Sequence, residues 1–154
     1  MKKYLSSQVV TINTDASYDP IKKVGGWGCW IKSDFFTIKE GGKFRLPIND
    51  SNEAEIKALI NGFDLLKKQQ VEFKVVVINC DNKTVRDIVN MWKIPERFTV
   101  EGNILLKLVM SYPVCYAKEI KSHTKKDTAR HWVNNWCDTV ARNFTKDKHE
   151  ERRG

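Results

Sequence analysis

Val75, Val76, Val77 and Ile78 stand in one unbroken apolar, β-branched run. A strand with no polar face has to be covered on both sides, as the central strands of a helix-flanked sheet are. The run therefore predicts a buried strand, parallel to a neighbour, in a layered α/β architecture. Its natural partner is the segment 9–14, which is also β-branched and whose alternation leads straight into Asp15.

The rest of the chain fits around that pair. Asp19-Pro20 and Gly25-Gly26 predict a turn. Residues 27–32 and 35–38 predict two more strands hinged at Ser33-Asp34, before Gly41-Gly42 and a short run to Leu46. A helix is expected from Ser51, taken as its N-cap, with Glu55 in the first turn. Ile56, Leu59, Ile60, Phe63 and Leu66 give it an apolar stripe. Asp81-Asn82 closes the 75–78 strand, and a short helix is expected over 84–91. Residues 92–103 read as irregular, 104–110 as a helix stopped near Pro113, and 114–120 as a strand. After a basic loop at 122–126, a last helix carries Val133, Trp136, Cys137, Val140, Ala141 and Phe144. The order implies a five-stranded mixed sheet flanked by helices, antiparallel in its first part and parallel later, with right-handed crossovers. A chain of 154 residues suits one domain, assigned to 1–145, with a charged tail at 146–154 that frays.

The formal net charge is +8, which favours a polyanionic partner as much as it favours a solvated surface. No apolar run is long enough to span a bilayer, and no apolar stretch backs the basic N-terminus as in a secretory signal. The four cysteines, at 29, 80, 115 and 137, form no C-x-x-C pair and no Cys/His cluster. They read as small hydrophobes in a reducing, cytoplasmic compartment.

Against this basic background four acids take pointed positions. Asp15 and Asp81 each follow a predicted buried strand, and parallel strands deliver such residues to one sheet end, where α/β sites form. Glu55 shares a helical face with Leu59 and Phe63, so it points inward. Asp138 lies near the apolar side of the last helix. Singly, each has a bland reading: turn former, dipole compensation or surface residue. Together they carry a cost, since ionised carboxylates repel by about 4 kcal/mol per close pair at an effective dielectric of about 20. Two divalent cations offset that cost. All-oxygen ligands suit Mg²⁺, with Mn²⁺ as a substitute. Two such ions can grip a phosphodiester, one activating water and the other stabilising the leaving 3′ oxygen.

Five blocks in order carry a family resemblance: Thr14-Asp15-Ala16-Ser17, Gly25-Gly26-Trp27-Gly28, Ser51-Asn52-Glu53-Ala54-Glu55, Asn79-Cys80-Asp81-Asn82, and 136–142 around Asp138. The chain resembles the type I ribonuclease H family across roughly residues 9–145, with the blocks near the family's usual intervals. The resemblance implies a ribonuclease H-like fold. It implies endonucleolytic hydrolysis of the RNA strand of RNA–DNA hybrids, giving 5′-phosphate and 3′-hydroxyl ends. By the same match Asp15, Glu55, Asp81 and Asp138 are the catalytic, metal-holding carboxylates. His123 matches the family's loop histidine, which helps proton transfer or product release, although the flanking glycines are replaced by Ser122 and Lys125. Ser17, Ser51, Asn52 and Asn82 are the implied substrate contacts, Asn52 reading 2′-hydroxyls. Glu53 stands where an amide is usual. The family's basic, Trp-rich protrusion is reduced to Trp92, Lys93 and Arg97. Lys121, Lys125, Lys126 and Arg130 are candidates to replace its grip, and a protein partner or a surrounding polyprotein stays open. Trp27, Trp30, Trp132 and Trp136 are assigned to packing.

Two rivals remain. One is a nuclease of the same fold acting on branched or duplex DNA, which would not need the Ser51-Asn52 block. The other is a catalytically silent hybrid-binding module, which would not need all four acids.

Overall fold

In the computed structural model, residues 8–119 and 128–145 are described. Ten elements follow one another: β1 (Val9–Asp19), β2 (Val24–Lys32), β3 (Thr37–Lys43), α1 (Ser51–Lys67), β4 (Val75–Asn79), α2 (Lys83–Met91), a 3₁₀ turn (Glu96–Phe98), α3 (Thr99–Met110), β5 (Val114–Lys118) and α4 (Thr128–Thr145). The sheet order is β3-β2-β1-β4-β5. The first three strands pair antiparallel, and β1, β4 and β5 run parallel. The 75–78 run thus lies between two parallel partners, where a strand without a polar face belongs.

Alternation along β1 assigns the two faces. Ile12 and Thr14, with Cys29 across the ladder, meet α1 at Gly62, where an added Cβ would lie 3.2–3.3 Å from their side chains. Asp15 and its partner Gly28 point the other way, towards α4. The α1 side of the sheet buries Ile12, Ile31, Ile56, Leu59, Phe63 and Ile78 completely, each side chain contributing roughly 1.5–3 kcal/mol by leaving water, and α4 covers the other face with Cys137 and Ala141.

The structure corrects several boundaries. β1 does not end at Asp15 but runs on to Asp19, because β2 still pairs with it there after β4 has stopped. The chain turns at 20–23, with Lys23 left-handed at φ 56°. Gly25-Gly26 lies inside β2 instead, and the third strand sits at Thr37–Lys43 rather than 35–38. α3 begins at Thr99, within the stretch expected to be irregular.

Ser51 is not the N-cap of α1. Asp50 is: its carboxylate accepts the Asn52 N–H at 2.7 Å, while Glu53 reaches back to the Asn49 N–H at 2.9 Å. Glu53 is therefore engaged in starting the helix and in an ion pair with Lys57. Arg97, at the 3₁₀ turn, pairs with Asp50 and lies 4.9 Å over the Phe98 ring. An Asp50→Ala variant is expected to lose about 1 kcal/mol of stability, read as a lower melting temperature; an unchanged transition would remove the cap from the account.

Candidate active site

The parallel ladder of β1 and β4 ends with Asn13 opposite Asn79. Two positions further along each chain come Asp15 and Asp81. Equal offsets from paired residues bring both acids to the same end of the sheet. Asp81 is exposed at the mouth, whereas Asp15 is half-buried.

α1 brings the third acid. Its first turn passes over β1 so that the Ala16 N–H donates to two carboxylates at once, to Asp15 Oδ1 at 2.9 Å and to Glu55 Oε1 at 2.7 Å. Asp15 and Glu55 also stand within hydrogen-bond reach of each other. Burial is the main cause that pushes the Asp15 carboxyl up to about 6; the Ala16 N–H opposes it, and the nearby Asp138 charge adds to it. Burial likewise holds Glu55 well above the usual carboxylate range, helped by the charges of Asp15 and Asp81.

α4 brings the fourth. Asp138 lies within hydrogen-bond and Coulomb reach of Asp15, and Arg142, one turn on, donates to its Oδ1 at 3.2 Å. The approach depends on glycine. A Cβ built on Gly28, directly opposite Asp15, would strike the Cys137 carbonyl oxygen, and one on Gly26 would strike that of Ala141. The bare strand lets the helix backbone settle against β2. Cys137 is fully buried at this contact, and its thiol sits 3.6 Å from the Asn13 carbonyl.

The contacts among the four acids are pairwise. Among the described residues, no three acidic, thiol or imidazole side chains close on one point as a finished metal cage. The donor set nonetheless fits a hard divalent cation. Every donor is a carboxylate oxygen, all lie at one sheet end, and the raised Asp15 and Glu55 carboxyls reflect burial and mutual repulsion that a cation would relieve.

Of the expected substrate residues, Ser17 is half-buried on β1 two positions past Asp15, and Ser51 is exposed at the start of α1. Asn52 and Asn82 meet through their side chains at 2.8 Å, and Asn82 also caps α2 through the Val85 N–H at 3.0 Å. His123, Lys121, Lys125, Lys126 and the 146–154 tail lie outside the described residues, as do the side chains of Arg130 and Trp132. Of the residues expected to remain of the protrusion, Arg97 is engaged with Asp50, while Trp92 is 63% exposed on a left-handed residue at φ 57°. Trp30 and Trp136 pack edge to face at 5.5 Å, and Trp27 packs against the core, as assigned.

Three participants escaped the sequence reading: the Ala16 N–H that grips two carboxylates, Gly28, and Asp50. For Asp50 a signal existed, since Asp50-x-x-Glu53 is a helix-start pattern.

No curated protein sequence matches the chain. Solved structures do. RNase H1 from the archaeon Halobacterium salinarum aligns at 14% identity with a TM-score of 0.68, covering 88% of this chain and 96% of its own. The N-terminal RNase H domain of a Mycobacterium tuberculosis protein, solved as a maltose-binding-protein fusion, aligns at 17% identity with a TM-score of 0.70, covering 89% and 93%. LC11-RNase H1, solved in complex with an RNA/DNA hybrid, aligns at 17% identity with a TM-score of 0.67, covering 88% and 96%. These likenesses show the ribonuclease H-like fold. A sequence model described as RNase H matches residues 7–146, nearly the whole chain and every element from β1 to α4, and on that match the protein belongs to the RNase H family.

Proposed function

We propose that the protein is an endonuclease that hydrolyses the RNA strand of RNA–DNA hybrids, leaving 5′-phosphate and 3′-hydroxyl ends. The observation that carries the reading is the Ala16 N–H holding Asp15 and Glu55 together, with Asp138 against Asp15, just past the end of the β1/β4 parallel ladder in an RNase H-family chain. A structural relative bound to an RNA/DNA hybrid supports the choice of substrate.

Asp15, Glu55, Asp81 and Asp138 are the residues assigned to hold two Mg²⁺ ions, with Mn²⁺ as a substitute. Bound there, the ions would supply a water nucleophile at neutral pH and charge stabilisation for the leaving oxygen. The chain's own part is positional. The Ala16 N–H fixes the Asp15 and Glu55 carboxylates relative to each other, and Arg142 orients Asp138 from behind. Asp81 is exposed at the mouth and is assigned to meet the arriving backbone. Ser17, Ser51 and Asn52 line the approach and are assigned to the substrate, and His123 is assigned to proton transfer or product release. The excess of Lys and Arg offsets phosphate repulsion by the acidic centre.

Among the described residues, no helix is long and apolar enough to cross a membrane. Cys29, Cys80, Cys115 and Cys137 are free thiols, three of them buried, and burial pushes the Cys115 thiol up to about 12. These features support a reducing compartment, and we place the protein in the cytoplasm.

The test is a labelled-strand assay with hybrid, double-stranded RNA, double-stranded DNA, branched DNA and single-stranded RNA, each in Mg²⁺ and in EDTA. Cleavage of the RNA strand of the hybrid alone, abolished by EDTA, is expected. Turnover confined to DNA would favour the branched- or duplex-DNA nuclease, and hybrid binding without turnover in Mg²⁺ the silent module.

A further inference from the structure

Asn52 and Asn82 open two different helices, 30 positions apart in the chain, yet their side chains meet. An amide's oxygen and nitrogen are alike in shape, so its orientation has to be argued from its partners. Here one partner is unambiguous. The Val85 backbone N–H can only donate, and it donates to Asn82 Oδ1 at 3.0 Å. Asn82 therefore turns its Nδ2, also only a donor, towards Asn52. The Asn52 atom that receives it at 2.8 Å has to be Oδ1. Asn52 Nδ2 is thereby directed away from Asn82, with its N–H groups left to donate elsewhere. A helix cap on α2 sets the polarity of a side chain on α1.

We propose that Asn82 is a positioning residue whose hydrogen bond makes Asn52 a donor-only reader of the ribose 2′ oxygen. The proposal rests on the hybrid-cleaving function argued above and gives Asn82 a role through Asn52. A 2′-hydroxyl oxygen accepts such a bond, and a 2′-deoxy position offers nothing in its place. The discrimination belongs to the oriented pair rather than to Asn52 alone.

Two substitutions separate this role from capping. Asp caps a helix as well as Asn does, so Asn82→Asp keeps α2 intact. It brings only acceptors to Asn52, which then turns its Nδ2 inward and its Oδ1 outward. Asn82→Ser keeps a neutral cap and simply removes the amide donor. The experiment measures kcat and KM in Mg²⁺ on an all-ribose hybrid and on hybrids carrying one 2′-deoxynucleotide, walked across the positions flanking the cut. For the parent, one deoxy position is expected to raise KM about five- to tenfold. Asn82→Asp is expected to raise KM on the all-ribose hybrid by a similar factor, with kcat held within about twofold and less than about twofold added by the deoxy substitution. Asn82→Ser, which leaves Asn52 free to take either orientation, should show a smaller rise with a correspondingly smaller loss of discrimination. Unchanged KM in both variants overturns the proposal. So do multiplied losses, because plain repulsion by a new carboxylate would leave the deoxy effect intact. A parent that cleaves no hybrid overturns the proposed function and this inference with it; a parent that cleaves, with multiplied losses, overturns this inference alone.

Discussion

Replacing Asp15 by Asn is expected to abolish hydrolysis while making the metal-free protein more stable. The two effects have one origin. Asp15 sits at the junction of the site: it shares the Ala16 N–H with Glu55, whose carboxyl lies within its reach, and it lies against Asp138. Its carboxyl is raised from 3.8 to about 6, chiefly by burial. An acid whose folded value is raised holds its proton longer in the folded state than in the unfolded chain. Its contribution to stability is therefore greatest below pH 4, falls as pH rises through about 6, and is flat above. Glu55 acts in the same direction. At pH 7.5 without metal, the charged Asp15 is thus a liability of about 1–2 kcal/mol, after discounting for its partial exposure to solvent. Asn removes the charge and keeps an amide able to bond Glu55. The Asp15→Asn protein should melt about 3–6 °C above the parent in EDTA at pH 7.5, and the gap should close near pH 4. Mg²⁺ should stabilise the parent and do little for the variant. Hybrid cleavage should fall by about 10³-fold or more, the scale on which loss of a transition-state electrostatic partner acts. Calorimetry across pH with and without Mg²⁺, beside the labelled-strand assay, reads both effects. A variant that retains activity, or that melts below the parent in EDTA, removes Asp15 from the centre of the site.

The parts of this site that could be read in the sequence are those fixed by local periodicity. Leu59 and Phe63 define the buried face of α1, and Glu55 shares it, so its inward direction follows from 3.6 residues per turn. The run at 75–78 has no polar face, so its central, parallel place follows from the need for cover on both sides. Asp15 and Asp81 then reach one sheet end by simple counting. What stayed hidden depends on how closely two distant elements approach. Gly25-Gly26 looks like a turn because glycine pairs break strands, yet here the strand runs through them, and the missing side chains make room for Phe44 and for the α4 backbone. The dual grip of the Ala16 N–H leaves no mark on a residue type, since every amide is alike. Asp50 was passed over for Ser51 because both are good caps, and the choice between them is made by Glu53 reaching the Asn49 amide and by Arg97 reaching Asp50 from another element.

Gly28→Ala should show how far the fourth carboxylate depends on that approach. Gly28 faces Asp15 across the β1/β2 ladder, and the Cβ of alanine would run into the carbonyl oxygen of Cys137, with the Cys137 carbonyl carbon and Cα each at 3.1 Å. These are backbone atoms held in the middle of α4, so no rotamer change relieves the clash. The helix has to lift off β2 as a unit, and Asp138, the next residue, moves with it. Overpacking of this kind costs about 1–3 kcal/mol, read as a fall of about 3–10 °C in melting temperature for a chain of this size. The functional loss should be larger than that implies, because displacing a catalytic group by about 1 Å costs about 10²-fold in rate even in protein that remains folded. Gly42→Ala is the matched control. The nearest atoms to its Cβ would be those of the Trp27 ring, at 3.1–3.3 Å, a half-buried side chain rather than helix backbone, which has to give by a few tenths of an ångström, and activity should stay near that of the parent. Assayed well below both transitions, a Gly28→Ala protein as active as Gly42→Ala would show that Asp138 works without its contact to Asp15. A selective loss would tie the glycine in β2 to the chemistry through the position of α4.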